Sequence, residues 1–208
     1  MEMIRLSLGV LGANCYILYF ENHDAVAVDI GGDAEKVMQT LEIHHLNLKA
    51  ILLTHGHYDH VGGVEAVRKM TGAEVYIHEK DAVMLESDKE NLSWQLTSNA
   101  YVPVKEYHTL KDGDILEFGG EKFQVMHTAG HTSGSVCYLT ENAMFSGDTL
   151  FKGSVGRTDL SGGNPAEMKQ SLKKLASLEK NYHVYPGHFD DSTLEEEKIS
   201  NPYLRSFL

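Results

Sequence analysis

The run Thr54-His55-Gly56-His57-Tyr58-Asp59-His60 gathers three imidazoles and a carboxylate into six positions, in the form H-x-H-x-D-H. At the chain's own His and Asp content, roughly 0.002 such matches are expected by chance. Neutral imidazole is the commonest metal ligand among side chains. The run follows Ala50-Ile51-Leu52-Leu53, a short apolar stretch of the kind buried on both faces of a sheet. Ionisable groups there are costly to desolvate unless something binds them. The C-terminal end of a strand is also where α/β sheets place ligands. His55 and His57, two apart on a loop, can point the same way and share one metal. Asp59 and His60 are offset toward a second.

Each ion then needs ligands from elsewhere. Three candidates occupy glycine-flanked turns after strand-like stretches: Gly130-His131-Thr132, Gly147-Asp148-Thr149 and Gly187-His188. Glycine lets the backbone turn sharply and bring a ligand close.

The elements that must position these residues alternate. Strands are expected at Ile4 to Leu8, Cys15 to Phe20, Ala25 to Ile30, Ala50 to Leu53 and Glu74 to Ile77. Helices are expected from Gly31 to Leu41, with Asp33 as cap, and from Val61 to Met70, with Gly72 at its end. Ser87 to Glu106 is a long polar loop, a length usually tied to function or motion. Ile115 to Phe118 and Phe123 to His127 flank Gly119-Gly120, a hairpin signal. Ser135 to Leu139, Ala143 to Ser146 and His183 to Pro186 complete the strands. Asn164-Pro165-Ala166-Glu167 opens a helix with a cap and a first-position proline, and Met168, Leu172, Leu175 and Leu178 give it one apolar face. Ser192 to Lys198 is expected to be a short last helix. The alternation points to a layered α/β architecture, and no linker divides residues 1–208, so one domain is expected.

Acidic residues number 30 against 18 basic ones, a formal charge of −12. That balance argues against nucleic acid as a partner, because such binding relies on cations neutralising phosphates. No apolar run approaches the ~20 residues of a membrane helix, so no membrane association is expected. Met1-Glu2-Met3-Ile4-Arg5 shows no export-signal pattern, and two cysteines, Cys15 and Cys137, make no disulfide framework. A cytoplasmic protein is expected; the sequence leaves its oligomeric state open.

The combination of H-x-H-x-D-H with Gly130-His131, Gly147-Asp148 and Pro186-Gly187-His188 resembles the metallo-β-lactamase superfamily. Asn14-Cys15-Tyr16-Ile17-Leu18, His127-Thr128-Ala129-Gly130-His131-Thr132, Ser146-Gly147-Asp148-Thr149-Leu150-Phe151 and Gly156-Arg157-Thr158-Asp159-Leu160 resemble its glyoxalase II-like branch, specifically the short bacterial hydroxyacylglutathione hydrolase-like members. The resemblance implies an αββα four-layer sandwich. It implies that His55, His57 and His131 hold one divalent metal, that Asp59, His60 and His188 hold another, and that Asp148 bridges them. Five imidazoles and two carboxylates without a thiolate suit zinc, and also iron or manganese.

Two such ions, about 3.5–4 Å apart, would turn a bridging water into a hydroxide that attacks a carbonyl. Thiolates, with a pKa near ~8.5, leave with little proton donation, so a small acyl thioester is the expected substrate. Asp59 is the candidate catalytic residue, orienting the nucleophile or taking its proton. Lys152 and Arg157 are candidate substrate contacts, with an Arg157–Asp159 ion pair as the plainer reading of the second. Gly156-Arg157-Thr158-Asp159 stands where glyoxalase II enzymes carry a Lys-x-Tyr-type glutathione contact. The same segment is shared with persulfide dioxygenases, which use a single iron; an oxidoreductase is therefore the alternative. His23, His44, His45, His78, His108 and His183 lack the glycine-flanked context and are expected at the surface or in loops.

Overall fold

The computed structural model describes residues 1–207. Strands β1 (Glu2–Leu8), β2 (Ala13–Tyr19) and β3 (Asp24–Val28) form an antiparallel meander. The chain crosses through α1 (Ala34–Ile43) to β4 (Asn47–Leu52), then through α2 (Tyr58–Val61) and α3 (Val64–Thr71) to β5 (Glu74–His78), each new strand parallel to the last. Helix α4 (Ser93–Leu96) interrupts the long loop before β6 (His108–Leu110), which lies parallel to β5. The first sheet therefore has the order β1-β2-β3-β4-β5-β6.

The second sheet begins with β7 (Ile115–Phe118), β8 (Glu121–His127), β9 (Val136–Leu139) and β10 (Ala143–Gly147), all antiparallel neighbours. A small hairpin of β11 (Leu150–Phe151) and β12 (Ser154–Val155) follows. Helix α5 (Pro165–Ala176) then leads to β13 (His183–Pro186), parallel to β10, and β14 (Ser192–Thr193), α6 (Leu194–Ser200) and a short 3-10 turn at Arg205–Phe207 follow. The sheet order is β14-β13-β10-β9-β8-β7.

Successive side chains of a strand face opposite ways, and that alternation builds the layers. Tyr16 and Leu18 of β2, Val26 and Val28 of β3 and Leu52 of β4 meet Phe123, Val125, Val136, Tyr138 and Phe145 of the second sheet. Their neighbours Ile17, Ala27 and Ile51 pack outward on Val37, Leu41, Val64 and Val67 of α1 and α3. Cys137, Leu139 and Met144 pack outward on Met168, Leu172 and Leu175 of α5 and on Leu194 of α6. The result is helix, sheet, sheet, helix. Full burial of each large aliphatic or aromatic side chain contributes about 1.5–3 kcal/mol.

The local chemistry follows the sequence with some shifts. Asn164 caps α5, its side chain accepting from the N–H groups of Ala166 and Glu167. The capping pair of α6 is Thr193 with Glu196, one residue later than Ser192 with Glu195 would place it. Asp33 precedes α1 in a left-handed conformation and makes no side-chain cap. Its carboxylate accepts the Gly9 N–H instead, which pins the β1–β2 turn. The helix expected from Val61 to Met70 is split between α2 and α3 by Gly62-Gly63. A Cβ on Gly62 would collide with the Gly31 carbonyl and one on Gly63 with the Gly32 carbonyl, so the break lets the chain pass close to β3's exit.

Candidate metal centre

Every segment singled out for metal binding ends at the same rim of the sandwich. His55 and His57 lie on the loop leaving β4, and Asp59 and His60 lie on α2. His131 follows β8, Asp148 follows β10 and His188 follows β13. Three groupings of ligand atoms result: His55 with His57 and His131, His55 with His60 and Asp148, and Asp59 with His60 and His188. His57 Nδ1 stands 2.9 Å from His131 Nε2. His188 Nε2 stands 3.1 Å from Asp59 Oδ2 and 3.3 Å from His60 Nε2. Asp148 joins the sets, with Oδ1 3.4 Å from His60 Nε2 and Oδ2 3.5 Å from His131 Nε2.

The outward-facing nitrogens are fixed by hydrogen bonds that set the tautomers. Thr54 donates its hydroxyl to Asp29 Oδ2 at 2.7 Å, so its oxygen accepts from His55 Nδ1 at 3.1 Å. Asp29 Oδ2 also accepts from His60 Nδ1 at 2.8 Å. The Arg157 carbonyl accepts from His131 Nδ1 at 2.8 Å. Each ring is left with its Nε2 aimed inward, the arrangement that metal-bound histidines usually have. His55 Nε2, His57 Nε2 and Asp148 Oδ1 are buried without a hydrogen-bond partner. Buried polar atoms are nearly always paired, so these orphans, with this donor set, fit divalent cations.

The electrostatics agree at His55 and His57, whereas at His60 a cation would have to displace a proton. Burial, reinforced by the surrounding imidazoles, holds His55 well below its ordinary value, and burial with His131 beside it brings His57 down to about 3. Both are therefore neutral near pH 7, as ligands must be. Burial would lower His60 too, but Asp148, Asp59 and Asp29 outweigh it and push His60 up to about 10. Burial would raise Asp59, yet His60 and His188 hold its carboxyl below the usual carboxylate range.

Two buried carboxylates escaped the sequence reading as site residues. Asp29 directly follows β3 in a left-handed conformation, φ 56°, and ties His55, through Thr54, and His60 together as described. Asp81 is fully buried and accepts from Gly56 N–H at 3.1 Å, Thr132 Oγ1 at 2.6 Å and Gly134 N–H at 2.6 Å. It thereby locks the His55–His57 loop to the His131 loop, and burial raises its pKa. Asp29 carried a signal, an acid at a strand end before two glycines; Asp81 carried none.

Glycines matter most at two points. Gly147 has φ +49° and lies against Thr54; a Cβ there would strike the Thr54 side chain. A Cβ on Gly187 would strike Asp148 Oδ1 and His60. The Asn14-Cys15-Tyr16 segment secures that second turn. Asn14 donates to the carbonyls of Pro186 and Phe189 at 2.9 and 3.0 Å, and Tyr16 donates to Pro186 at 2.7 Å.

The substrate candidates separate. Arg157 borders the cavity over the metal cluster, but its Nε and Nη2 already engage both oxygens of Asp159, at 2.7 and 2.8 Å. Lys152 is exposed on the β11–β12 hairpin and does not line that cavity. His78 is not at the surface: it is buried and stacks on His127 with centroids 4.1 Å apart. Among the described residues, no helix is long and apolar enough to cross a membrane.

Residues 8–188 match the family described as the metallo-beta-lactamase superfamily. The chain is 35% identical over 199 residues to hydroxyacylglutathione hydrolase GloC of Haemophilus influenzae, covering 93% of each chain. The structure of BLEG-1 B3 metallo-beta-lactamase is similar at 39% identity and TM-score 0.92, over 98% of this chain and 99% of that one. The structure of TTHA1623 in a di-iron-bound form is similar at 36% identity and TM-score 0.85, over 97% of this chain and all of that one.

Proposed function

Because the chain belongs to the metallo-beta-lactamase superfamily, mostly metal-dependent hydrolases, we propose that it is a dinuclear metallohydrolase that cleaves small acyl thioesters. The observation that carries this reading is Asp148, whose two oxygens face different imidazoles while Oδ1 has no hydrogen-bond partner. A carboxylate so placed could serve two ions. His55, His57 and His131 would hold one, and Asp59, His60 and His188 the other. Divalent metals there would supply Lewis acidity, bringing the ionisation of water toward neutral pH and polarising an acyl carbonyl. Zinc suits this donor set, and iron and manganese suit it as well.

The chain's own residues then divide the work. Asp59, kept ionised by His60 and His188, orients the attacking water as a hydrogen-bond acceptor. The cavity over the cluster, about 480 Å³, is lined on its outer side by Leu11, Leu92, Leu96, Phe151, Leu160 and Phe189. Outside the metal cluster that lining holds no Lys, Tyr, Cys, Asp or Glu. A leaving group must therefore depart without a protein acid. Thiolates do so readily, unlike the amine of an amide, which supports the thioester reading. Hydrolysis adds water across the C–S bond, giving a carboxylic acid and a free thiol.

The test is a substrate panel on protein purified without chelator or added metal. Thiol release from S-hydroxyacyl thioesters, with slow or absent turnover of β-lactams and persulfides, is expected. Oxygen uptake with a persulfide and one iron per chain would replace this reading with the oxidoreductase one. The likeness to BLEG-1 makes the β-lactam arm of the panel necessary.

A further inference from the structure

Six described non-glycine residues have positive φ: His23, Asp29, Asp33, His45, Leu92 and Phe189. Asp, His and other polar residues reach that region at modest cost; a bulky apolar residue there is an outlier. Leu92, at φ 66°, and Phe189, at φ 67°, are the two large apolar cases, and both line the cavity over the metal cluster. Strained backbone persists where the surroundings over-determine it, and it concentrates at functional sites.

The surroundings are specific in both cases. The Phe189 carbonyl accepts from Arg5 Nη2 at 2.7 Å and from Asn14 Nδ2 at 3.0 Å. Its ring is 69% exposed, directly after His188, and meets Phe151 edge to face at 5.4 Å and 80°. Leu92 follows Asn91, a fully buried residue whose side chain donates to the Met84 carbonyl and accepts from the Ser93 N–H. The Asn91 carbonyl accepts from the Tyr58 N–H at 2.8 Å, which couples this wall to the His57–Asp59 segment. Hydrogen bonds thus hold two apolar side chains in disfavoured conformations at the mouth of the metal centre.

The polar inventory of the cavity points the same way. Arg157 is its sole Lys or Arg, and Asp159 occupies the guanidinium fork. An anionic ligand arm finds no unengaged cation along this wall. An apolar arm finds Leu92, Leu11, Phe151 and Phe189. We infer that Leu92 and Phe189 are specificity-determining residues forming a clamp for an uncharged, apolar arm of the thioester. On this inference the preferred thiol is an apolar one and not an anionic peptide thiol such as glutathione. The inference deepens the thioester reading and rests on it for the identity of the ligand.

Binding tests the clamp without turnover. Two non-hydrolysable S-acetonyl thioethers, one of benzyl mercaptan and one of glutathione, are titrated calorimetrically into the metal-containing protein. The benzyl analogue is expected to bind at least about ten-fold more tightly, the size of effect a hydrophobic pocket gives. Phe189→Asn, chosen because Asn tolerates this backbone conformation, and Leu92→Asn should each weaken the benzyl analogue about ten-fold. Both should leave the glutathione analogue within two-fold, with metal content unchanged. Equal or tighter binding of the glutathione analogue, or parallel loss of both in the variants, overturns the clamp. Benzyl binding that depends on Phe189, in a protein that hydrolyses no thioester, would leave the clamp standing and remove the hydrolase reading.

Discussion

Asp59 sits within 3.1 Å of His188 Nε2 and within 3.6 Å of His60 Nε2, on the cavity side of the cluster. Replacing it by Asn keeps the shape and one acceptor oxygen but removes the charge proposed above to orient water. Asp59→Asn is expected to lower kcat on thioesters by about a hundredfold or more, read alongside metal content; unchanged kcat at full metal content would contradict the role. His78 offers a residue-level test of stability. Burial and the adjoining His127 bring it down to about 4. A histidine depressed in the fold is neutral there, while the unfolded chain takes up a proton near pH 6.5. Stability is therefore lost as pH falls from about 6.5 towards 4. His78→Phe, which preserves the stack on His127, should flatten the fall of Tm over that interval. An identical slope in both proteins would refute this assignment.

At the scale of elements, the candidate ligands were legible because His55 and His57 directly follow the β4 segment around Gly56, and His131, Asp148 and His188 each sit beside a glycine in a turn after a strand. The strand alternation that sorts Ile17 from Leu18, or Ile51 from Leu52, into different layers was legible for the same kind of reason: period two is local. What was not legible acts through space. Asp81 joins Gly56 to Thr132 and Gly134, residues more than 20 positions away on either side, and no local pattern marks it. Short strands such as β6, β11, β12 and β14 were missed because two or three residues carry no periodicity. The anchoring of the β13 turn by β2 belongs to this scale. Asn14, 3% exposed, satisfies two carbonyls and accepts from Arg5 Nε. Asn14→Ala removes one donor from each carbonyl, leaving Tyr16 on Pro186 and Arg5 on Phe189, and should cost about 1 kcal/mol. It should also weaken retention of any ion that His188 would hold. Urea unfolding and metal retention during dialysis read the two effects; wild-type values for both would show that β2 does not secure the turn.

At the scale of the whole molecule, the candidate ligands come from the first-sheet half through β4 and α2, and from the second through β8, β10 and β13. Bound cations would cross-link the two halves of the sandwich. A ligand at a hundred times its Kd stabilises the fold by about 2.7 kcal/mol, which at this chain length moves Tm by about 5–10 °C. Chelation is expected to lower Tm by that amount, and a chelator-insensitive Tm would show that the cluster holds nothing. The charge of −12 belongs here too: it sets a field that repels anions, in keeping with an uncharged substrate arm. The measurement that tests the central claim most directly is the metal content of the protein purified without chelator or supplement, by elemental mass spectrometry. The dinuclear account predicts about two divalent ions per chain, falling sharply in Asp148→Ala. One ion or none per chain, or full retention in Asp148→Ala, would contradict it.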